Sequence, residues 1–131
     1  MRIKCTGNIG SCLSKAMLEK LKISEKAEYP IKIGDEYVVY GQMIYNEVLY
    51  YLIKETYEDL PSWYPAELFE VTNNLIYMEW YFRFDSESEL SAIWGYWELV
   101  FSLEHYDGLI DREKKDIKIF LDRKKEIDEF S

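Results

Sequence analysis

Two runs of β-branched and aromatic residues constrain the fold of this chain more than any other feature. Residues 37–45 (YVVYGQMIY) and 48–54 (VLYYLIK) flank the dipeptide Asn46-Glu47. Two strand-forming runs separated by two residues predict a β-hairpin, although Asn-Glu is a weaker turn signal than Asn-Gly. Gly41 lies inside the first run and predicts a bulge or a sharp bend, as at the corners of small barrels.

Other short segments carry strand and turn signals. Pro61, Ser62 and Pro65 predict a loop followed by a one-turn helix, because proline interrupts regular strands and helices. Further short strands are expected at residues 1–6, 68–72 and 77–84.

Three segments have helical periodicity. A short amphipathic helix is expected at about residues 11–22 and a charged one at about residues 112–129. Between them, Ser86 and Glu89 form a capping-box pattern ahead of an apolar run that ends at Asp107-Gly108. The run places six side chains on one helical stripe: Leu90, Ile93, Trp94, Trp97, Val100 and Phe101. Gly95 lies inside this stripe, which predicts either a close contact or a helix bend there.

The order of these elements predicts an α+β fold. We expect a small curved antiparallel sheet, a short N-terminal helix and two C-terminal helices. The length of 131 residues suits a single domain over 1–131, with a β-rich part at 34–84 and the C-terminal helices in 86–131.

Negative charge is concentrated in one part of the chain. The formal net charge is −9, but residues 55–111 alone carry thirteen carboxylates and a single base, Arg83, together with all four tryptophans. A field of one sign attracts cationic partners and repels nucleic acid and anionic membranes. The aromatic share of 17% argues against disorder and is typical of chains with partly exposed Tyr and Trp at interfaces. We therefore expect a protein partner, with no nucleic acid and no membrane.

Several other classes of protein lack sequence support. The N-terminus has no continuous apolar segment typical of a secretory signal, and no apolar run reaches the ~20 residues of a membrane span, so a soluble cytoplasmic protein is expected. Cys5 and Cys12 are expected to be free thiols, because a zinc site needs about four ligands and His105 is distant in sequence. No cofactor, metal or catalytic residue is predicted. His105, beside Glu104 and Asp107, is more typical of a structural histidine than of a general base.

The stretch from Gly34 to Asn73 resembles an SH3-like small barrel. A strand pair is followed by a segment with Trp and Pro, a short helical turn and a final strand, in Trp63–Val71 (WYPAELFEV). In SH3 domains the corresponding segment lines a groove for proline-rich peptides. The resemblance implies a partial barrel and, as an alternative function, an adaptor that binds peptides near Tyr51, Trp63 and Pro65.

A second resemblance covers most of the chain. The segments GDEYVVYG, YYLI, WYPAELFEV, AIWGYWEL and HYDGLIDR, with a charged terminal helix, resemble bacterial immunity proteins of polymorphic or contact-dependent growth inhibition toxin systems. The resemblance implies a non-catalytic inhibitor that binds a cognate toxin domain. Nuclease toxins are commonly basic because they must neutralise phosphates, so an acidic surface would suit such a partner.

Ten residues are expected to contact a partner. Trp63 and Tyr64 are expected to anchor the interface, since Trp and Tyr dominate interface energetics, although Trp63 could equally fill the core. The acids expected to attract Lys and Arg of a toxin are Glu55, Glu58, Asp59, Glu67, Glu87, Glu89, Glu104 and Asp107. A small hydrolase using clustered acids around His105 is a third hypothesis, which would require two close carboxylates in a cleft.

Overall fold

Two antiparallel sheets and four α-helices make up the part of the chain described by the computed structural model, residues 1–55 and 60–131. The strands are β1 Arg2–Cys5, β2 Glu36–Val38, β3 Gly41–Tyr45, β4 Val48–Lys54, β5 Pro61–Pro65, β6 Phe69–Asn73, β7 Tyr81–Phe84 and β8 Leu90–Gly95. The helices are α1 Lys15–Leu21, α2 Trp97–Phe101, α3 Leu103–Ile110 and α4 Lys114–Phe130. One sheet has the strand order β2-β1-β6 and the other β5-β4-β3-β8-β7.

The predicted α+β fold, with a short N-terminal helix and helices at the C-terminal end, is confirmed. Neither sheet closes into a barrel, since β6 pairs with β1 of the three-stranded sheet rather than with the five-stranded one. None of the helices in the described ranges combines the length and apolar character that crossing a bilayer requires.

The hairpin of β3 and β4 is confirmed, and its turn explains the register. Asn46 and Glu47 both have positive φ, 49° and 63°, as the right-handed twist of a two-residue hairpin requires. The first run is divided at the position where Gly41 predicted a bulge or a sharp bend: β2 and β3 belong to different sheets and are separated by Val39 and Tyr40, directly before Gly41.

At β4 the five-stranded sheet is covered on its two faces by different cores. In β4, Leu52 packs with residues of α2, α3 and α4, whereas its neighbours Tyr51 and Ile53 pack with the three-stranded sheet. This follows from the alternation of side chains along a strand. The strand pattern is therefore apolar on both faces here, and each face is buried by a different layer.

The predicted helix starting at Ser86 was wrong for residues 90–95, which form β8. This strand lies between β3 and β7 and buries both faces, so its apolar residues do not alternate and their spacing fitted a helix equally well. The Ser86–Glu89 segment connects β7 to β8. Just outside it, the amide of Asp85 donates to the carbonyl of Ser91. Helix begins only at Trp97, after Tyr96.

Of the two alternatives predicted for Gly95, a close contact or a helix bend, the structure shows the close contact. A Cβ at Gly95 would lie 2.7 Å from Cδ2 of Leu99, and one at Gly41, its partner in register, would lie 2.5 Å from the same atom. The two glycines thus let α2 approach the sheet through the buried Leu99 side chain.

The loop predicted at Pro61–Pro65 is instead the edge strand β5, paired with β4. Proline is tolerated at the ends and open sides of edge strands. The predicted one-turn helix follows at Ala66–Leu68, and the predicted strands at residues 1–6 and 68–72 correspond to β1 and β6.

Candidate protein-binding surface

Strand β7 forms one end of the five-stranded sheet and exposes large aromatic side chains. Phe82 is 50% exposed and Phe84 64% exposed, and Tyr81 is also exposed. Among the described strands, only β8 pairs with β7. Exposed apolar side chains in one patch mark sites of protein association more often than isolated ones do.

Helix α2 extends this aromatic region beside the strand. Trp97 is 51% exposed and Phe101 is also exposed, because Leu99 and Val100 occupy the side of this short helix that faces the core. The ring centroid of Phe101 lies 5.9 Å from that of Tyr81 and 5.9 Å from that of Trp97. The exposed rings on this side of β7 are therefore in contact with one another.

The opposite side of β7 is also aromatic. Phe82 pairs with Trp94 of β8, and their ring centroids are 4.9 Å apart at an interplanar angle of 32°. Phe84, two residues along, points to the same side as Phe82. We call Tyr81, Phe82, Phe84, Trp97 and Phe101 together the edge surface.

Carboxylates lie at both ends of β7. Glu79 precedes the strand, and Asp85, Glu87 and Glu89 follow it; all four are exposed and none forms an ion pair within the described ranges. Arg83, the base within β7, donates from Nε to the backbone carbonyl of Val100 at 2.9 Å and is half-buried. Both ends of β7 are therefore negatively charged.

Two of the predicted contact residues are buried, which corrects their proposed role. Glu55 is 9% exposed and accepts a hydrogen bond from the hydroxyl of Tyr64, which is itself buried. Burial and the hydrogen bond to Glu55 raise the pKa of Tyr64 well above its usual range. This pair stabilises the fold beneath β5 and offers no atoms to a partner. Glu58 and Asp59 lie outside the described residues.

The remaining predicted acids do not share one face. Glu67 follows β5, at the far edge of the sheet from β7, and accepts hydrogen bonds from the amide and hydroxyl of Ser14 at 3.0 and 3.2 Å. Glu104 pairs with Lys115 of α4. Glu87 and Glu89 alone lie in the connection between β7 and β8, beside the edge surface.

Trp63 and Asp107 lie together at a second feature, a pocket of about 580 Å³ between the sheet and α3. Tyr45, Tyr50 and Tyr106 also line it. Burial, then the nearby Tyr45, Asp107 and Tyr50, raises the pKa of Tyr106 to about 12. The Tyr45 hydroxyl donates to Glu89 at 3.0 Å, so the pocket and the β7–β8 connection are linked by a hydrogen bond.

The peptide groove implied by the SH3 resemblance is not formed by its three residues. Tyr51 packs in the core under the three-stranded sheet, whereas Trp63 packs on the opposite face of the five-stranded sheet, and Pro65 is buried. The geometry therefore does not favour a peptide site built from these side chains.

His105 belongs to a buried polar network. Its Nδ1 lies 2.9 Å from Oδ1 of Asp116, and its Nε2 lies 2.7 Å from the Tyr96 hydroxyl. The carboxylate oxygen of Asp116 accepts from Nδ1, and the hydroxyl of Tyr96 donates to Nε2. Burial, then the charges of Glu98 and Asp116, raises the pKa of Tyr96 well above its usual range.

This network connects elements rather than lining a cleft. His105, on α3, is 2% exposed, and Asp116, on α4, is 2% exposed. Asp116 lies so close to Gly108 that a Cβ there would be 1.8 Å from Oδ2. At 2% exposure His105 has almost no contact with solvent from which a substrate could approach it, and its two hydrogen bonds hold α3 to α4 and to Tyr96. The network could not be predicted from the sequence, because Tyr96 and Asp116 lie nine and eleven residues from His105 and match no recognised motif.

The two cysteines form neither a disulfide nor part of a metal-binding cluster in the described residues. Cys5 is buried, Cys12 is exposed, and both are free thiols, as predicted. Across residues 1–55 and 60–131, no three His, Cys, Asp or Glu side chains gather in a geometry that could hold a metal ion.

Comparisons with known proteins give no match to a family model, a curated protein or a solved structure. The edge surface and the sequence resemblance are therefore the two indications of function.

Proposed function

We propose that this protein is an immunity-type inhibitor that binds and neutralises a cognate toxin domain through the edge surface. The observation that supports the proposal is the combination of exposed aromatic rings on β7 and α2 with exposed carboxylates at both ends of β7 that form no ion pair with any residue the structure describes. Aromatic anchors surrounded by charged residues are the usual composition of a protein interface. A catalytic role has no comparable support, because the only histidine is buried in the core at 2% exposure.

The charge favours a basic toxin domain. Glu79, Asp85, Glu87 and Glu89 would accelerate its approach and would pair with Lys and Arg at the rim, while the aromatic rings would supply the buried contact area. Nucleases are the leading example of such toxins, since their surfaces must neutralise phosphates.

The first experiment measures binding to the C-terminal domain of a secreted protein encoded beside this chain. We expect nanomolar or tighter affinity that weakens as salt is raised, and rescue of cells in which this domain and the protein are co-expressed. An affinity that stays constant from low to high ionic strength would remove the electrostatic part of the proposal. Failure of both binding and rescue with that domain would remove the proposal itself.

Point variants separate the surface from the fold. Trp97→Ala removes an exposed ring and is expected to weaken binding by at least about tenfold, the range of a hot-spot residue. Its matched control is Leu103→Ala, which removes another highly exposed apolar side chain outside the edge surface. Equal losses for both variants would show that the effect is not specific to the edge surface.

A charge reversal tests the steering. Glu87→Lys is expected to slow association several-fold at low salt, with little change at high salt. Glu25→Lys makes the same charge change at an exposed loop residue preceding β2 and should leave the association rate within about twofold. If both substitutions slowed association equally, overall charge rather than the acids beside β7 would govern binding.

A further inference from the structure

The open edge of β7 has a backbone pattern that suits strand pairing. This inference rests on the proposed function and specifies how the toxin would be held. We propose that β7 accepts an extended basic segment of the toxin domain as a sixth strand of the five-stranded sheet.

The register shows which backbone groups are open. In an antiparallel pair, residues alternate between those bonded to the neighbouring strand and those whose N–H and C=O point away from it. The Asp85 amide bonds to the Ser91 carbonyl at 2.8 Å, so Arg83, paired with Ile93, also bonds inward to β8. The N–H and C=O groups of Phe82 and Phe84 therefore point to the open side of β7.

The other edge of the same sheet is blocked, which makes β7 the exception. The two-residue turn makes Tyr45 and Val48 a bonded pair, so by alternation Tyr51 and Ile53 bond towards β5. The outward positions of β5 are then residues 61, 63 and 65, and two of these are proline. Proline has no N–H to donate, and it is one of the devices by which edge strands avoid pairing.

The side chains of β7 suit an added strand on both faces. Tyr81 and the α2 rings stand on one side, and Phe82 with Trp94 and Phe84 stand on the other. A strand laid along β7 would place alternate side chains against aromatic surface on each face, while main-chain bonds would supply affinity.

Charge selects the occupant. Glu79 lies before the strand, Asp85 and Glu87 lie after it, and the Nε of Arg83 is held by Val100. A lysine- or arginine-bearing segment would meet opposite charge at both ends, whereas a second copy of this chain would bring its own acids against them.

The test uses synthetic peptides, so it does not depend on identifying the toxin. The isotope-labelled protein is titrated with a short peptide that alternates Lys and Val, and separately with one that alternates Glu and Val. We expect the Lys peptide to slow hydrogen exchange at the Phe82 and Phe84 amides by at least tenfold at saturation, with the Arg83 amide already slow in the free protein. The Glu peptide should leave all three unchanged.

Two variants separate backbone pairing from ring contact. Phe82→Ala removes the ring and keeps the N–H, whereas Phe82→Pro removes both without breaking a bond to β8. We expect Phe82→Pro to bind the Lys peptide at least about fivefold more weakly than Phe82→Ala. The proline variant loses one main-chain hydrogen bond to the peptide, and its pyrrolidine ring also obstructs the added strand.

The outcomes are distinct from those for the proposed function. No protection of Phe82 and Phe84 by the Lys peptide, or equal protection by both peptides, would overturn strand pairing. Equal affinities for Phe82→Pro and Phe82→Ala would do the same. If Phe82→Pro lost its native circular dichroism, the exchange experiment on the unmodified protein would decide alone. Toxin binding through the aromatic rings would survive any of these results.

Discussion

Replacing Gly108 with Ala reverses the usual effect of that substitution in a helix. Gly108 lies inside α3, where Ala is ordinarily favoured over Gly by about 1 kcal/mol. Here the added Cβ would lie 1.8 Å from Oδ2 and 2.4 Å from Cγ of Asp116. Such distances force Asp116 to move, and its bond to Nδ1 of His105 is then lost.

The magnitude follows from the burial of that pair. Losing a buried hydrogen bond to a carboxylate costs about 3 kcal/mol. Subtracting the gain in helix propensity leaves a net destabilisation of about 2 kcal/mol. For a chain of this length, about 2.1 cal/mol/K of unfolding entropy per residue converts this into a fall in Tm of about 7 °C.

Urea unfolding followed by tryptophan fluorescence measures the difference. The informative comparison is a double-mutant cycle, because in an Asp116→Ala background the clash is removed and Gly108→Ala should stabilise by up to about 1 kcal/mol. A Gly108→Ala protein as stable as the original, or one equally destabilised in both backgrounds, would refute the proposed contact between Gly108 and Asp116.

Three further predictions concern stability. Leu99→Ala opens a cavity against Gly41 and should cost about 2–5 kcal/mol in urea unfolding, whereas Ile110→Ala, at an exposed position, should stay within about 0.5 kcal/mol. Two hydrogen bonds of 2.8 Å from Arg123 lower the pKa of Glu98 below its ordinary 4.5. Their contribution to the free energy of unfolding is therefore present above pH 4.5 and is lost as the pH falls further. Glu98→Gln should flatten the dependence of the urea midpoint on pH in that acidic range. Burial raises the pKa of Tyr106 from 10 to about 12. Its contribution to the free energy of unfolding is therefore intact below pH 10 and declines from pH 10 to 12. Tyr106→Phe should make the fall in the urea midpoint over that range smaller.

The elements governed by local chemistry could be predicted from the sequence. The β3–β4 hairpin followed from two β-branched runs and a two-residue spacer, and the terminal helix followed from its apolar spacing. Gly41 within a strand-forming run predicted a bulge or a sharp bend, and the run is divided at that position between two sheets.

Elements buried on two faces could not be assigned in the same way. Residues 90–95 are apolar on both sides because β8 is an inner strand, and this pattern lacks the alternation that identifies a half-buried strand. For β5, the prolines indicated a loop, and only the pairing with β4 shows that they occupy outward positions of an edge strand.

The candidate surface could be predicted only in part from the sequence. The concentration of acids and aromatic residues indicated the part of the chain that contains the edge surface, but burial decides which of these side chains are exposed. Tyr64 and Glu55 satisfy one another in the core, an arrangement that depends on the pairing of β4 with β5. The sequence predicted that the aromatic residues of β7 belong to a strand. It did not predict that they are exposed, because this depends on β7 being the outermost strand of the sheet.

Gly41 and Gly95 have a consequence for how recognition could diverge. Their missing side chains fix the height of α2 above the sheet, and α2 carries Trp97 and Phe101. A methyl group at either glycine would tilt the helix and alter the shape offered to a partner while every exposed residue remained the same. Partner specificity in related proteins could therefore change through substitutions hidden beneath the contact area.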